Sequence, residues 1–249
     1  MTRAGRRPAA VALAALAVAA AVAGRADAQG APPRDDHGEI HGLALGLKAA
    51  EMSLDGFGDI ACGSNGGPAR QAIDDWSEFG KCRPEPSGLY EVAARFDDQQ
   101  EYVGRAIDDP MYAQGRLGTR VAGHPVILSV LFDQAAIVRG IRMVSDPRGS
   151  VMERRMAHML RLAVINRYGL EGWTCIDLPR GPGETEVGGG VFVKERCEKH
   201  EAERDLFVEA HFLRKAGQSS VNPATGEATT GQYESWTRFE IMDPGYGKR

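Results

Sequence analysis

Apolar and polar residues alternate over much of the chain, most regularly in its second half. Residues 205–215 set Leu206, Val208, Ala210 and Phe212 against Phe207, Glu209, His211 and Leu213, the period of two expected of a half-buried strand. Similar runs over 173–178, 191–199 and 232–242 predict a four-stranded meander. In an up-and-down meander the first and third connections leave the sheet at the same end. The long loops 179–190 and 216–231 are therefore expected side by side, where binding surfaces tend to be built.

Earlier in the chain, 89–96, 119–122, 126–132 and 137–144 read as strands, with His124-Pro125 interrupting the run. The short Asp133-Gln134 connection makes the last two an antiparallel hairpin, whereas 97–117 is polar and irregular. Between the two sets, 150–168 repeats at helical spacing. Ser150 and Glu153 form a capping box, and Met152, Met156, Met159, Leu160, Ala163 and Val164 mark one face. Gly169 stands where a left-handed C-terminal cap is needed. Two short helices are predicted nearer the N-terminus, over 48–54 and over 68–76, the second opened by Pro68 after the Gly/Asn-rich turn at Cys62. The fold class is therefore α+β: antiparallel sheet, one long amphipathic helix and two short N-terminal ones. Residues 39–249 read as one domain, with a junction near 145–170 as the alternative boundary between two subdomains.

The first residues change the picture from fold to compartment. Arg3, Arg6 and Arg7 precede an apolar run from Ala9 to Ala23, which ends at Ala26-Asp27-Ala28. This is the layout of a secretory signal cut after Ala28, and the run is shorter than the ~20 residues that span a bilayer. The residues after Arg6-Arg7 favour the general route over the twin-arginine one, and no Cys near the cut suggests a lipid anchor. Residues 29–38 read as a flexible tail, and nothing later repeats such an apolar stretch. The expected location is periplasmic or secreted. Loss of residues 1–28 removes four Arg and one Asp, leaving 26 basic against 33 acidic residues. That balance argues against nucleic acid and anionic lipid as partners.

Four cysteines remain: Cys62, Cys82, Cys175 and Cys197. An even count in an exported chain reads as two disulfides. Of the three pairings, Cys62–Cys82 and Cys175–Cys197 are favoured, because each brackets a short segment that folds back on itself.

The segment Ile40-His41-Gly42-Leu43-Ala44-Leu45-Gly46-Leu47 resembles the opening of small exported bacterial modules. These are proteins similar to the outer-membrane assembly lipoprotein SmpA/OmlA and to the β-lactamase-inhibitor protein. Leu160, with Arg167-Tyr168-Gly169, is similar to a helix end common in exported proteins of this kind. The likeness covers about two dozen residues, with Leu47 where the pattern has Met. It implies a binding or assembly module with no catalytic residues to carry over.

Chemistry-bearing constellations are sparse. Ser64 lacks a nucleophile elbow, and Ser219-Ser220 lies in a polar loop. His37 and His41 have i, i+4 spacing interrupted by glycine. His200 with Glu201 and Glu203, and Asp55 with Asp59, lack a defined ligand set. Arg154, His158 and Arg161 share a helix face, which is read as a solvated face in preference to an anion site. No cofactor, metal or catalytic residue is expected. Trp173, Glu184, Glu186, Tyr233 and Trp236 are the candidate binding residues. The two acids lie in the first long loop, Tyr233 and Trp236 follow the second, and Trp173 begins the first strand of the same sheet. The alternative for the aromatics is cover for the core where sheet meets helix. The favoured function is a non-enzymatic module that binds an envelope protein or envelope component. One alternative is a periplasmic hydrolase of cell-wall or carbohydrate material, using carboxylates drawn from Glu184, Glu186, Glu209 and Glu234. Another is a small-ligand or metal carrier.

Overall fold

A computed structural model describes residues 40–96, 119–188, 190–215, 220–221, 228–229 and 233–246. The predicted signal at 1–28, the tail at 29–38 with His37, all of 97–117, and most of 216–231 with Ser219 lie outside the described residues.

The strands are β1 (Phe57–Cys62), β2 (Ala72–Ile73), β3 (Tyr90–Phe96), β4 (Arg120–Val121), β5 (His124–Phe132), β6 (Val138–Ser145), β7 (Thr174–Asp177), β8 (Glu184–Thr185), β9 (Val193–His200), β10 (Asp205–Lys215), β11 (Ser220–Val221), β12 (Ala228–Thr229) and β13 (Glu234–Met242). One antiparallel sheet runs in the order β2-β1-β3-β5-β6-β13-β10-β9-β7, with β4 on β5 and β8 on β10. Among the described residues β11 and β12 pair only with each other. β6 pairs directly with β13, so the elements before and after the helix share one sheet.

The α+β expectation is therefore corrected: the fold is mainly antiparallel β, with a single helical rod. Neither N-terminal helix forms. Around 48–54 only a 3-10 turn appears, Ala49–Glu51. The chain there straps the edge of the hairpin instead: Gly46 N donates to Val138 O, Val138 N to Leu47 O, and Ala49 N to Ala136 O. Cross-chain backbone bonds outcompete the weak local preference of a short helix. Over 68–76 the chain pairs with β1, through Ile60–Ile73 and Ala61–Ala72. A 3-10 helix follows at Trp76–Lys81, capped by Asp75, whose carboxylate accepts from Ser77 N. Trp76 is fully buried against Phe57 and Phe132, and its Nε1 donates to Ser53 O.

The His124-Pro125 interruption is also absent. The turn lies two residues earlier, at Ala122-Gly123, both with positive φ as a type I′ hairpin loop requires. Pro125 is tolerated inside β5 because it lies at the end that meets β4, and its carbonyl accepts from Asp146 N.

The rod consists of α1 (Val151–Met156), a 3-10 turn (Ala157–Met159) and α2 (Leu160–Arg167). The capping box at Ser150 and Glu153 is present in both directions. Its buried face is Ala157, Leu160, Val164 and Tyr168, whereas Met152 and Met156 are exposed. The apolar stripe read from the sequence thus meets the sheet only from Ala157 onward. There Thr237 Oγ1 donates to Ala157 O and His158 N donates to Ser235 Oγ. Among the described residues no helix is long and apolar enough to cross a membrane.

Both disulfides pair as expected, Cys62–Cys82 and Cys175–Cys197. The first joins the end of β1 to the 3-10 helix. The second joins direct register partners on β7 and β9.

A candidate binding face

Strand alternation divides the sheet into two unlike faces. On one, Val92, Leu128, Val130, Ile141, Met143, Val208, Phe239 and Ile241 form the main core with Leu160, Val164 and Trp76. The opposite face has a smaller buried apolar cluster, Leu89, Leu131, Phe207 and Met242, beside rows of charged side chains. Register places Ser129, Arg142, Glu240 and Phe207 in one row across β5, β6, β13 and β10. The adjoining row sets Arg196, Glu209 and Arg238 across β9, β10 and β13.

Arg142 is the centre of the first row and is nearly inaccessible. Its Nε donates to Glu240 Oε1 at 2.7 Å. Its Nη1 and Nη2 grip Glu85 at 2.5 and 3.0 Å, and Glu91 Oε2 lies 3.2 Å from Nη1. Burial opposes this charge, but Glu85, Glu240 and Glu91 outweigh it and raise the guanidinium pKa. Burial would likewise raise the Glu91 carboxyl, yet Arg142 and the N–H groups of Gly66 and Asn65 hold it below its usual range. Gly66 N donates to Glu91 Oε1 at 2.9 Å, and Asn65 N donates to Oε2.

The Gly/Asn-rich turn after Cys62 thus caps a buried carboxylate. Asn65 and Gly66 both adopt positive φ, and a Cβ on Gly66 would lie 2.3 Å from Val144 Cγ2. Arg238 extends the network: its Nε donates to Glu240 Oε1 at 2.9 Å, and its Nη2, 2.6 Å from the same oxygen as an ion pair, donates to Asn65 Oδ1 at 2.7 Å. Beside these groups lies a pocket of about 380 Å³, lined by Asn65, Glu85, Leu89, Arg142, Arg238 and Tyr246 with four further residues.

A second focus lies towards the β8 end of the same face. His211 stacks on Trp236 with ring centroids 4.1 Å apart. Its Nε2 is 3.1 Å from Glu209 Oε1, and its Nδ1 is 3.3 Å from Glu234 Oε1, an ion pair when the ring is protonated. His211 holds the Glu234 carboxyl down at about 2; burial opposes this, and the Trp236 indole N–H adds to it. Arg196 grips Glu209 at 2.7 and 3.0 Å. Lys194 binds Glu184 at 2.8 Å and Pro179 O at 2.9 Å, which folds the start of the first long loop back onto the face. β8 then pairs with Arg214 and Lys215, where the second long loop begins.

The structure brings Glu184 and Trp236 to this focus, together with Glu209 and Glu234. It does not bring in the other three candidates. Trp173 packs on the main core and donates to Gly169 O. Tyr233 lies on the helix side, edge-on to Phe212, and donates to Val151 O. Glu186 is paired with Arg180 on the exposed loop. Of the helix cations, Arg161 is paired with Glu195, and His158 stacks on Phe212, where burial lowers its pKa. His41 Nε2 lies 3.0 Å from Arg120 O. Among the described residues, the one cluster with metal-ligand spacing is Cys175, Glu195 and Cys197, whose two sulfurs are joined to each other.

The Arg142 network escaped the sequence reading. Its one local signal was a charged residue at position 142, between the apolar Ile141 and Met143 of a strand that also carries Arg139. No protein-family model, curated protein or solved structure matches the chain.

Proposed function

We propose that this chain is an exported, non-enzymatic module that binds an envelope protein through the polar face of its sheet and the loop at 179–190. The observation that carries the reading is the run of ion pairs over β9, β10, β13 and β6, Arg196–Glu209 and Arg142–Glu240 between strands and Arg238–Glu240 along β13, on a surface without a helix over it among the described residues. Alternating fixed charges on a rigid sheet favour a partner with a complementary pattern of both signs, which is a property of protein surfaces. Two disulfides support an oxidising compartment, in keeping with the signal-like first 28 residues.

The hydrolase alternative fares worse. A glycoside hydrolase needs one carboxylic acid with a raised pKa. On this face Glu91, Glu184 and Glu234 are all held below their usual range by cations and N–H donors.

A triple variant, Lys194→Glu, Glu198→Lys and Trp236→Ala, tests the reading. In cross-linking from envelope extract it should lose the partners of the wild type, whereas Met152→Lys on the helix side should keep them. Retention of the same partners by the triple variant overturns the proposal.

A further inference from the structure

The sheet ends at β7, a four-residue strand whose side chains are all exposed. Leu178 N donates to Lys194 O. Antiparallel alternation therefore turns the backbone groups of Thr174 and Ile176 towards β9, and those of Cys175 and Asp177 away from it. Among the described residues nothing pairs with that outer edge.

Edge strands of natural sheets are usually blunted by lysine, proline, a bulge or inward charge. β7 is short and its one charged residue, Asp177, lies on the helix-side face with Cys175, but the strand has no lysine, proline or bulge and no charge on the polar face. On the polar face β9 carries Lys194, Arg196, Glu198 and His200, whereas the edge strand beside it contributes Thr174, Ile176 and then Leu178, none of them charged. Ile176 is 54% exposed. The strand nearest to solvent is the least charged on that face, the reverse of what a solvated edge needs.

We infer that β7 pairs antiparallel with β7 of a second copy, joining two sheets edge to edge. The outward-facing backbone sets the register. Cys175 of one copy exchanges hydrogen bonds with Asp177 of the other, and Ile176 meets Ile176 in the non-hydrogen-bonded position, where side chains approach most closely. Thr174 then faces Leu178, which makes a continuous uncharged strip across the junction. The two Asp177 carboxylates do not face each other, so the strand is compatible with its own copy. The Cys175–Cys197 disulfide fixes β7 to β9 and keeps this edge in place. Such pairing leaves both polar faces on the same side and doubles the binding surface, but it does not depend on that surface having a partner.

Sedimentation velocity on the purified protein, in the form in which the cell processes it, tests the inference over about 1 to 100 μM. A monomer–dimer equilibrium is expected. Ile176→Lys should weaken it at least about tenfold, because like charges directly opposite destabilise a strand pair. Leu170→Lys, at a still more exposed residue off the strand, should leave it unchanged. Ile176→Cys should give a covalent dimer on mild oxidation, which decides the matter if the lysine variant misfolds. A monomer throughout the range, or a dimer indifferent to Ile176→Lys in a folded protein, overturns the proposal.

Discussion

Arg142 and Glu240 face each other on β6 and β13, with Arg142 Nε donating to Glu240 Oε1 at 2.7 Å inside a surface almost closed to water. The pair is held from outside by Glu85, Glu91 and Arg238, so no single contact accounts for it. A buried ion pair adds little over an apolar isostere, but removal of one partner leaves the other charge uncompensated.

Arg142→Ala should accordingly cost about 3 to 5 kcal/mol, measured by urea denaturation near neutral pH. It should also let the Glu91 carboxyl titrate above its wild-type value, because Arg142 is the chief cation holding it down. A loss below about 1 kcal/mol would show that water reaches the site and replaces the guanidinium.

The Glu234 carboxyl gives a pH dependence with a definite sign. Its folded pKa is about 2 against an ordinary 4.5. A depressed folded pKa adds stability above the unfolded value and loses it as pH falls through the folded one. The wild type should therefore lose stability between about pH 4.5 and about pH 2 more steeply than His211→Ala, in which the first cause of the depression is gone. Thermal midpoints measured across that interval should diverge on the neutral side and converge on the acid side. Parallel curves would remove His211 as the cause.

Gly66→Ala should destabilise by about 1 to 3 kcal/mol, since the added methyl group meets both a positive φ and Val144. Gly80→Ala, where nothing lies within 4 Å of the new atom, is the matched control and should change little. Equal effects at both positions would mean that the turn at Asn65-Gly66 relaxes freely.

Each disulfide closes a loop of similar length, with sequence separations of 20 and 22. In the chain-entropy description each contributes about 3 kcal/mol, so the two double Cys→Ser variants should lose similar stability. Hydrogen exchange should nevertheless distinguish them. Loss of Cys175–Cys197 should speed exchange along β7 and β9, because β7 has little buried surface of its own to hold it. Loss of Cys62–Cys82 should instead loosen the 3-10 helix around Trp76.

Much of the fold was legible along the chain. The strand read over 205–215 has the bounds of β10, though both of its faces are largely buried, the capping box marks the start of the rod, and the cysteines pair by proximity in sequence. These features are encoded by neighbours a few residues apart, whose period or side-chain chemistry selects one local geometry. What covers what was not legible. The apolar stripe from Met152 to Val164 is continuous in sequence, yet only its second half reaches the sheet. The segments at 48–54 and 68–76 carry helical composition but serve as backbone partners for other strands.

The candidate site was legible only in pieces. Trp236 and Glu184 were singled out for their place beside the long loops, and Glu209 and Glu234 as spare carboxylates. Only Glu209, two positions before His211 on the same face of one strand, had a local link to it; Glu184, Glu234 and Trp236 come from other segments. Arg142 lies 98 positions from Glu240 and 57 from Glu85. The sequence by itself determined strand period, cap and covalent staples, since each depends on short-range spacing. Strand order and register, which exist only once distant segments have paired, decided which charges meet and on which face of the sheet they lie.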